Sequence, residues 1–518
     1  MTTSAPVQSD APHKPDFAKM VHIVIGLLIM VSGYFLPQIS KVVPANEKLI
    51  AMGLPVVDGQ VTLQVTEMGM IITMTFLAVV YLWTFVDTIW PSLLGIAALI
   101  FSNYAPAPKI LSMFLGNPMV VMIFFLCIFA SAIVHSGLAS WIARFLTTRE
   151  FVNGRPWVFT ATLLLTTYIV AFFDQTTAVF LMWPVLYAVF EQAGFRKGDK
   201  YVSIMVVYIC IMALLSFASD PFKGGAFYLV SNLQSIAATS TGLNAEPLDL
   251  LAYFSFAQVV SLTSIAILLL LMRFVFRVDV SPLKNINTDM LRREPLPPMS
   301  PSQKVVLFTF LGYALWLLLP SIIGTDNAVG AFLQKNNMTG SLMAVLAISV
   351  IFIKGKPAID ITLSNAHFPL RVFLLIAVAM LLGGIMTGKG TNVALVMEYT
   401  LRDLLTGMDY TMLTVAVAGL GIVLTNFCNS VVLGLMLTPV LLAVSNAFGY
   451  SSGPIMACFI YAVLIAACTP AASPFAALLF GQTRWASTGV MIKHAVIASA
   501  VVYGVVVCVG MPLAFLIF

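Results

Sequence analysis

The sequence is poor in charged residues and rich in apolar ones. Lys, Arg, Asp and Glu make up 9% of the 518 residues, and apolar residues make up 60%. Soluble domains carry about 25% charged residues. The mean hydropathy is +1.00. This composition excludes an ordinary soluble domain and indicates a polytopic membrane protein.

Motifs of enzymes, metal sites and nucleotide-driven pumps are missing as well. The six cysteines lie in apolar segments without a CxxC spacing, so we expect core residues rather than disulfides or zinc ligands. The five histidines show no metal-ligand spacing, and neither HExxH nor GxxxxGK[ST] occurs. The net charge of +5 arises from basic residues in short loops, so we expect no nucleic acid partner. We therefore expect no enzyme, and no cofactor besides a coupling ion.

The most informative stretch is 171–184, AFFDQTTAVFLMWP, in which four polar residues interrupt an apolar run. Its apolar flanks, Trp157–Phe173 and Ala178–Phe190, are each shorter than the ~20 residues that a span needs. Basic residues lie on both sides of it: Arg144, Arg149, Arg155, Arg196, Lys197 and Lys200. Because basic residues mark the cytoplasmic side, both ends lie there. We predict a re-entrant hairpin over 157–190 with its polar tip at mid-membrane, a candidate binding site.

Apolar runs and Lys/Arg counts divide the whole chain. Met20–Pro37 lacks a convincing cleavage site, so we expect a retained first span. The predicted regions are a cytoplasmic tail (1–19), a first span with an external loop (20–67), a first repeat (68–276), a cytoplasmic linker (277–303) and a second repeat (304–518). The prediction is an all-α polytopic membrane protein with about 11 transmembrane helices and two re-entrant hairpins.

The second half repeats the first in the opposite orientation. We predict a broken helix at 201–238, interrupted at 216–227, a second hairpin at 411–448, and a second broken helix at 453–481, interrupted at 466–475. Asp174 precedes Pro184 by ten residues, as Asn429 precedes Pro439. Inverted repeats with paired broken helices are typical of secondary transporters, whose substrates bind at the repeat interface.

These motifs resemble the divalent anion/sodium symporter family of the ion-transporter superfamily over about 68–518. DQTTAVFLMWPV and NSVVLGLMLTPV resemble its two hairpin tips, and SDPFKGG and CTPAASP resemble the unwound loops that face them. The resemblance implies an elevator-type transporter in which tips and loops hold sodium ions and a di- or tricarboxylate. It also implies a homodimer in the lipid bilayer of the bacterial inner membrane.

The candidate site residues fall into two groups. The donors expected for the anion are Gln175, Thr176, Thr177, Asn429, Ser430 and Thr469, with Lys223, and the resemblance adds Pro470. The hypothetical first cation site, for Na⁺ or a proton, contains Asp174 and Asp220. The resemblance adds the cation ligands Ser219, Asn429 and Ser473. Alternatively, Asp220 pairs with Lys223 only to hold the loop.

The leading prediction of function is a secondary transporter of small organic anions, C4-dicarboxylates or tricarboxylates, coupled to Na⁺ or H⁺. Two alternatives of the same superfamily stay open. Two intramembrane aspartates would also suit a Na⁺/H⁺ antiporter. If Lys223 occupies the cation position itself, the protein would instead be a carboxylate exchanger.

Overall fold

The structure is a computed structural model of the chain. It describes residues 17–45, 49–50, 53–147, 154–239, 246–285, 296–386, 388, 390–404, 408–427, 429–470 and 472–518. Helices dominate these residues, and the prediction of an all-α polytopic membrane protein is confirmed.

The helices of the first half are α1 (Phe17–Ser32), α2 (Glu67–Phe85), α3 (Ile89–Phe101), α4 (Ala107–Leu115), α5 (Pro118–Ser136), α6 (Leu138–Thr147), α7 (Pro156–Ala171), α8 (Gln175–Ala193), α9 (Lys200–Ser219), α10 (Gly225–Thr239) and α11 (Leu250–Leu270). A π-helical turn, Leu271–Val275, extends α11. A 3₁₀ turn, Ser281–Asn285, follows it.

The helices of the second half are α12 (Pro301–Ile323), α13 (Ala328–Lys335), α14 (Gly340–Val350), α15 (Ile361–Ser364), α16 (Leu370–Met386), α17 (Val393–Leu404), α18 (Tyr410–Leu424), α19 (Ser430–Phe448), α20 (Ser452–Val463), α21 (Pro474–Phe480), α22 (Thr488–Val505) and α23 (Met511–Ile517). The 3₁₀ turns Asn337–Thr339 and Asn365–His367 precede α14 and α16, and the π-helical turn Val506–Gly510 joins α22 to α23.

Seven helical segments of the described residues are long and apolar enough to cross a membrane: Glu67–Phe85, Pro118–Ser136, Lys200–Ser219, Leu250–Val275, Pro301–Ile323, Ser430–Phe448 and Thr488–Ile517. Shorter apolar helices accompany them, among them α7 and α18. With 16 and 15 residues, α7 and α18 are shorter than the ~20 residues of a full span. The number of eleven spans and the re-entrant path stay predictions.

The two helical hairpins have the same construction. In each, a short arm (α7 or α18) leads through a turn into a 19-residue helix (α8 or α19). Each long helix contains a proline, Pro184 or Pro439, ten residues after its N-cap. Each ends at a glycine with positive φ, Gly194 at 75° and Gly449 at 68°. Glycine adopts this left-handed conformation without the penalty that a Cβ brings, so both helices end cleanly.

The first broken helix is interrupted only over 220–224, a shorter stretch than the predicted 216–227. Helix α9 continues to Ser219, whose Oγ donates a hydrogen bond to the carbonyl oxygen of Leu215 (2.6 Å). It stops at Asp220 (ψ 96°), which precedes Pro221. A residue before proline is disfavoured in helical conformation, which explains the end point.

The second broken helix is interrupted over 464–473, of which 471 lies outside the described residues. The helix ends two residues before the predicted position, and α21 begins with Pro474 at its first turn, where a missing N–H costs nothing. Both helices that precede the interruptions, α9 and α20, are buried along almost their whole length.

The broken helices join the two halves. Helix α9 packs against both arms of the first hairpin, and α20 packs against both arms of the second. The pieces after the interruptions cross over, because α10 packs on α19 and α21 packs on α9. In the first of these contacts a Cβ on Gly434 would lie 2.5 Å from a Leu229 methyl carbon, so this close approach requires glycine. The crossover therefore packs each half of the chain directly against the other.

A small β-sheet lies in the loop that was predicted to be external, and the all-α prediction did not include it. It has the order β1 (Ser40–Pro44), β3 (Gln60–Gln64), β2 (Val56–Val57), and all pairs are antiparallel. Between β2 and β3, Asp58 and Gly59 have φ of 50° and 74°. Positive φ at both positions is the type I′ turn that closes two-residue hairpins. A second two-stranded hairpin, β4 (Phe352–Ile353) and β5 (Lys356–Pro357), follows α14.

The sheet is attached to the second half of the chain. The Thr66 N–H donates to the carbonyl oxygen of Thr391 (3.1 Å), and its Oγ1 donates to the carbonyl oxygen of Gly390 (3.1 Å). The Asn392 Nδ2 donates to the carbonyl oxygen of Gln64 (3.1 Å). These contacts fix the end of β3 and the residues that follow it to the turn between α16 and α17.

Candidate functional site

A cavity of about 690 Å³ lies between the two hairpin tips. Its polar lining consists of Thr88, Ser131, Asp174, Gln175, Thr176, Thr177, Lys223, Tyr228, His367, Arg371, Asn429 and Ser430. Its apolar lining includes Phe173, Phe180, Leu181, Phe217, Val372, Leu375, Val431, Pro474 and Phe475. The cavity thus combines apolar walls with a few convergent polar groups, as small-molecule sites do.

The first tip is formed by the N-terminus of α8. Asp174 is its N-cap, and the Asp174 Oδ2 accepts a hydrogen bond from the backbone N–H of Thr177 (2.6 Å). Such a cap satisfies one of the orphan N–H groups of a helix start. Gln175 is buried, and its Nε2 has no hydrogen-bond partner among the described residues. The first tip therefore presents a half-buried carboxylate and an unused amide donor at the cavity.

The second tip is formed by the N-terminus of α19. Asn429 is its N-cap, and the Asn429 Oδ1 accepts from the backbone N–H groups of Val431 (3.1 Å) and Val432 (3.2 Å). Ser430 is buried and also lines the cavity. Cys428, which precedes the cap, lies outside the described residues. The second tip is neutral, so the partial positive charge of the helix N-terminus stays uncompensated.

The first interruption contains the fully buried Asp220. Its Oδ1 accepts from the backbone N–H groups of Phe222 (2.9 Å) and Lys223 (3.3 Å), while its Oδ2 has no hydrogen-bond partner in the described part of the chain. Backbone groups rather than the Lys223 ammonium hold the carboxylate. Lys223 is 8% exposed and lines the cavity, whereas Asp220 lies behind the lining.

Ser219 also lies behind the cavity lining. Its Oγ shares a hydrogen bond with the Tyr168 hydroxyl (2.9 Å), which in turn donates to the Gln258 Oε1 (2.9 Å). The predicted role of Ser219 as a cation ligand stays a prediction.

The second interruption holds the remaining predicted residues away from the cavity. Ser473 caps α21, accepting from the Ala476 N–H (3.1 Å) and donating to the carbonyl oxygen of Ala466 (2.7 Å). Thr469 donates to the carbonyl oxygen of Asn426, and Pro470 is exposed. Of the twelve predicted residues, the cavity thus brings together seven: Asp174, Gln175, Thr176, Thr177, Lys223, Asn429 and Ser430.

One side of the cavity was not predicted from the sequence, and it is formed by the start of α16, the 3₁₀ turn before α16 and the turn between α2 and α3. Arg371, His367 and Thr88 line it, and the Arg371 Nη1 forms an ion pair with the Asp87 Oδ1 at 2.5 Å. In the sequence, Arg371 only marks the cytoplasmic side and Asp87 only a turn. No local pattern indicates that residues 284 positions apart pair. Asn426, whose Oδ1 accepts from the Cys468 N–H (2.7 Å), was missed too, although it lies three residues before Asn429 in an apolar run.

A family model described as Citrate transporter (CitMHS) matches residues 70–354, which is more than half of the chain. The chain belongs to the citrate transporter family. The predicted relationship to the ion-transporter superfamily is thereby confirmed, and the protein is a multi-pass membrane transporter. No curated protein sequence matches the chain.

Two solved structures share the fold of this citrate transporter family member. One is MtrF of Neisseria gonorrhoeae, described as one of a class of antimetabolite efflux pumps, with a TM-score of 0.60 and 14% identity over 98% of this chain and 96% of that one. The other is the YdaH transporter of Alcanivorax borkumensis, whose topology is described as unusual, with a TM-score of 0.56 and 12% identity over 96% of this chain and 98% of that one. At these identities the likeness concerns the fold alone.

Proposed function

We propose that the protein is a secondary active transporter that moves citrate or a related di- or tricarboxylate across the membrane, coupled to Na⁺ or H⁺. The observation that carries this proposal is the cavity between the tips, which brings hydroxyl, amide and ammonium donors to one place. Membership of the citrate transporter family supports an anionic substrate.

The anion would bind chiefly at the second tip. There the N-terminus of α19 meets the cavity with a neutral cap, and helix N-termini attract anions. Ser430, Thr176 and the unused Gln175 Nε2 supply hydrogen-bond donors, and the Lys223 ammonium supplies a positive charge. The hydroxyl and amide donors are neutral, and the ammonium is positively charged. Together they can form charge-assisted hydrogen bonds to a carboxylate in an apolar surrounding.

The coupling ion would bind at the first tip and the first interruption. Asp174 offers a carboxylate oxygen at the cavity, and the Asp220 Oδ2 is the buried atom that would contact a cation or carry a proton. Na⁺ prefers such hard oxygen ligands. No cluster of three or more His, Cys, Asp or Glu that could hold a metal occurs among the residues that the structure describes. Backbone carbonyls of the interruption would complete the shell.

We propose an elevator-type movement of the hairpins against the other helices, within a homodimer. The proposal is supported by the inverted repeat and by the cavity, which the two hairpins share with α16. A carboxylate exchanger is a second candidate, because the Lys223 ammonium faces the cavity and could take the place of a coupling cation.

Transport by the purified protein in proteoliposomes tests the proposal. Uptake of labelled citrate and succinate is measured with an imposed Na⁺ gradient, an imposed pH gradient, or neither. We expect uptake above the equilibrium level with one of the two gradients. Uptake only into vesicles preloaded with carboxylate would identify an exchanger. If neither carboxylate moves but a Na⁺ gradient changes the internal pH, the protein is an antiporter and the proposal is wrong.

A further inference from the structure

We propose that Arg371 is the group that first binds the anion on the cytoplasmic side of the cavity, and that Asp87 positions it. The inference rests on the proposed function and adds a specificity-determining residue to it. Arg371 is the second residue of α16 and lines the same cavity as both hairpin tips. It belongs to neither hairpin and to neither broken helix.

The position of the guanidinium is fixed by one contact. The Asp87 Oδ1 accepts from the Arg371 Nη1 (2.5 Å) and from the backbone N–H of Thr88 (2.7 Å). Asp87 thereby ties α16 to the turn between α2 and α3. A guanidinium has five N–H donors in a planar fork. Because the pair with Asp87 is the one hydrogen bond of Arg371 within the described residues, most of these donors stay available to a ligand.

The exposure of the two partners indicates which of them faces an incoming ion. The Arg371 side chain is 67% exposed, and that of Asp87 is 23% exposed. The arginine is therefore the accessible partner at the cavity, while the carboxylate stays largely covered. A guanidinium binds a carboxylate through two parallel hydrogen bonds, which gives geometric selectivity in addition to charge.

The charges along the cavity favour passage of an anion from the mouth inward. Arg371 is well exposed, whereas Lys223 is 8% exposed and lies deeper, at the first interruption. An anion with two or three carboxylates can exchange Arg371 for Lys223 as it moves toward the tips. Asp174 is the carboxylate on the described lining. Like charges repel, so the anion is directed toward the second tip.

The topology makes this role one-sided. Lys354, Lys356 and Arg371 predict that the start of α16 lies on the cytoplasmic side. The ion pair of Arg371 with Asp87 places the turn after α2 on the same side. A group at that mouth binds substrate that arrives from the cytoplasm and contributes nothing to capture from outside. Loss of Arg371 should therefore raise the KM from one face of the membrane only.

The test measures labelled citrate uptake in vesicles of two orientations that contain the full-length protein. Everted membrane vesicles present the cytoplasmic face, and right-side-out vesicles present the external face. The variants are Arg371→Gln and Arg371→Lys. Arg484→Gln is the matched control, because Arg484 forms a comparable exposed ion pair with Glu191 (2.6 Å) and does not line the cavity.

We expect Arg371→Gln to raise the KM at the cytoplasmic face about tenfold, which corresponds to about 1.4 kcal/mol. Arg371→Lys keeps the positive charge but loses the planar guanidinium with its paired N–H donors. We expect this variant to raise the KM at the cytoplasmic face about threefold. The external KM and the maximal rates should stay within about twofold, as should all values for Arg484→Gln.

Other outcomes overturn the inference. Equal KM changes at both faces, or none at either, would exclude a cytoplasmic binding role for Arg371 in a transporter that is otherwise active. If Arg371→Gln does not fold, as judged by size-exclusion chromatography in detergent, the Lys variant decides by the same criterion. A wild-type protein that transports no anion from either face would overturn the proposed function and this inference together.

Discussion

The two hairpin tips are alike in backbone and different in charge. Both long helices have 19 residues, an Asx N-cap, a proline ten residues on and a glycine at the end. At the first tip the cap is a carboxylate, and at the second it is an amide. A helix N-terminus carries about +0.5 of an elementary charge, so Asp174 overcompensates it and Asn429 leaves it in place. One repeated backbone can thus offer a cation site and an anion site.

Replacing the charged cap of the first tip by a neutral one, as in the second tip, should have the largest effect on transport. In Asp174→Asn the amide oxygen can still accept from Thr177, but the negative charge is lost. A carboxylate–cation contact near 4 Å contributes about 4 kcal/mol at an effective dielectric constant of about 20. We expect gradient-driven citrate accumulation to fall at least about hundredfold. Exchange between preloaded vesicles should persist, which separates lost coupling from lost folding. Full accumulation in this variant would contradict a cation site at the first tip.

The reverse change, Asn429→Asp, should mainly weaken anion binding. The new carboxylate still caps α19 but repels the substrate, so we expect the KM for citrate to rise about thirtyfold. Asn429→Ser is the control, since a hydroxyl also caps a helix and adds no charge. Kinetics of uptake into proteoliposomes measure both. Equal effects of Asp and Ser would mean that the amide itself, rather than neutrality, is required.

Removing the cavity ammonium should have a smaller effect. In Lys223→Gln we expect the KM for citrate to rise about tenfold, because one charge-assisted hydrogen bond is lost. Lys223→Arg should restore most of the affinity. A variant that gains Na⁺-driven accumulation while it loses exchange would instead assign the cation position to Lys223.

Alanine substitutions at the two C-terminal glycines of the hairpin helices should lower stability by similar, small amounts. At Gly194 and Gly449 no atom lies within 4 Å of the place that a Cβ would take, so alanine there costs only the left-handed backbone, about 1 kcal/mol. We expect each variant to lower the melting temperature in detergent by about 1 to 2 °C. Neither should alter the KM for citrate. A much larger loss at one glycine would show that the two hairpins are not mechanically equivalent.

The parts of the fold that could be predicted from the sequence are those that depend on the lengths of apolar runs and on the Lys and Arg residues in the loops. Polar residues inside runs too short to span indicated both hairpins, and the prolines indicated both interruptions. The limits of the interruptions were less predictable. Helix α9 ends at Asp220 because a proline follows this residue, and the Asp220 side chain accepts a hydrogen bond from a nearby backbone N–H group. The pattern VVDGQV did contain the signal for the small sheet, an Asp-Gly pair between valines, but its strands are too short to rank above a loop.

The residues of the candidate site could be predicted only where they follow one another in the sequence. The residues at each tip follow one another, so the polar stretches found them. Arg371 depends on a distant partner, Asp87, and no periodicity records such a pair. Thr469 was expected to face a tip, yet its hydroxyl donates to the carbonyl oxygen of Asn426, a contact that competes with any ligand role.

The attachment of the small sheet to the second half of the chain has a consequence for biosynthesis. Gln64 is bound by Asn392, which the ribosome adds 328 residues later. At about 5 to 20 residues per second, this interval lasts on the order of 20 to 60 s. If the loop is external, as its position in the sequence predicts, it crosses the membrane during that time, before its docking surface has been made. Its local Asp58-Gly59 turn can close within microseconds, so the hairpin can fold first and wait for the second half to arrive.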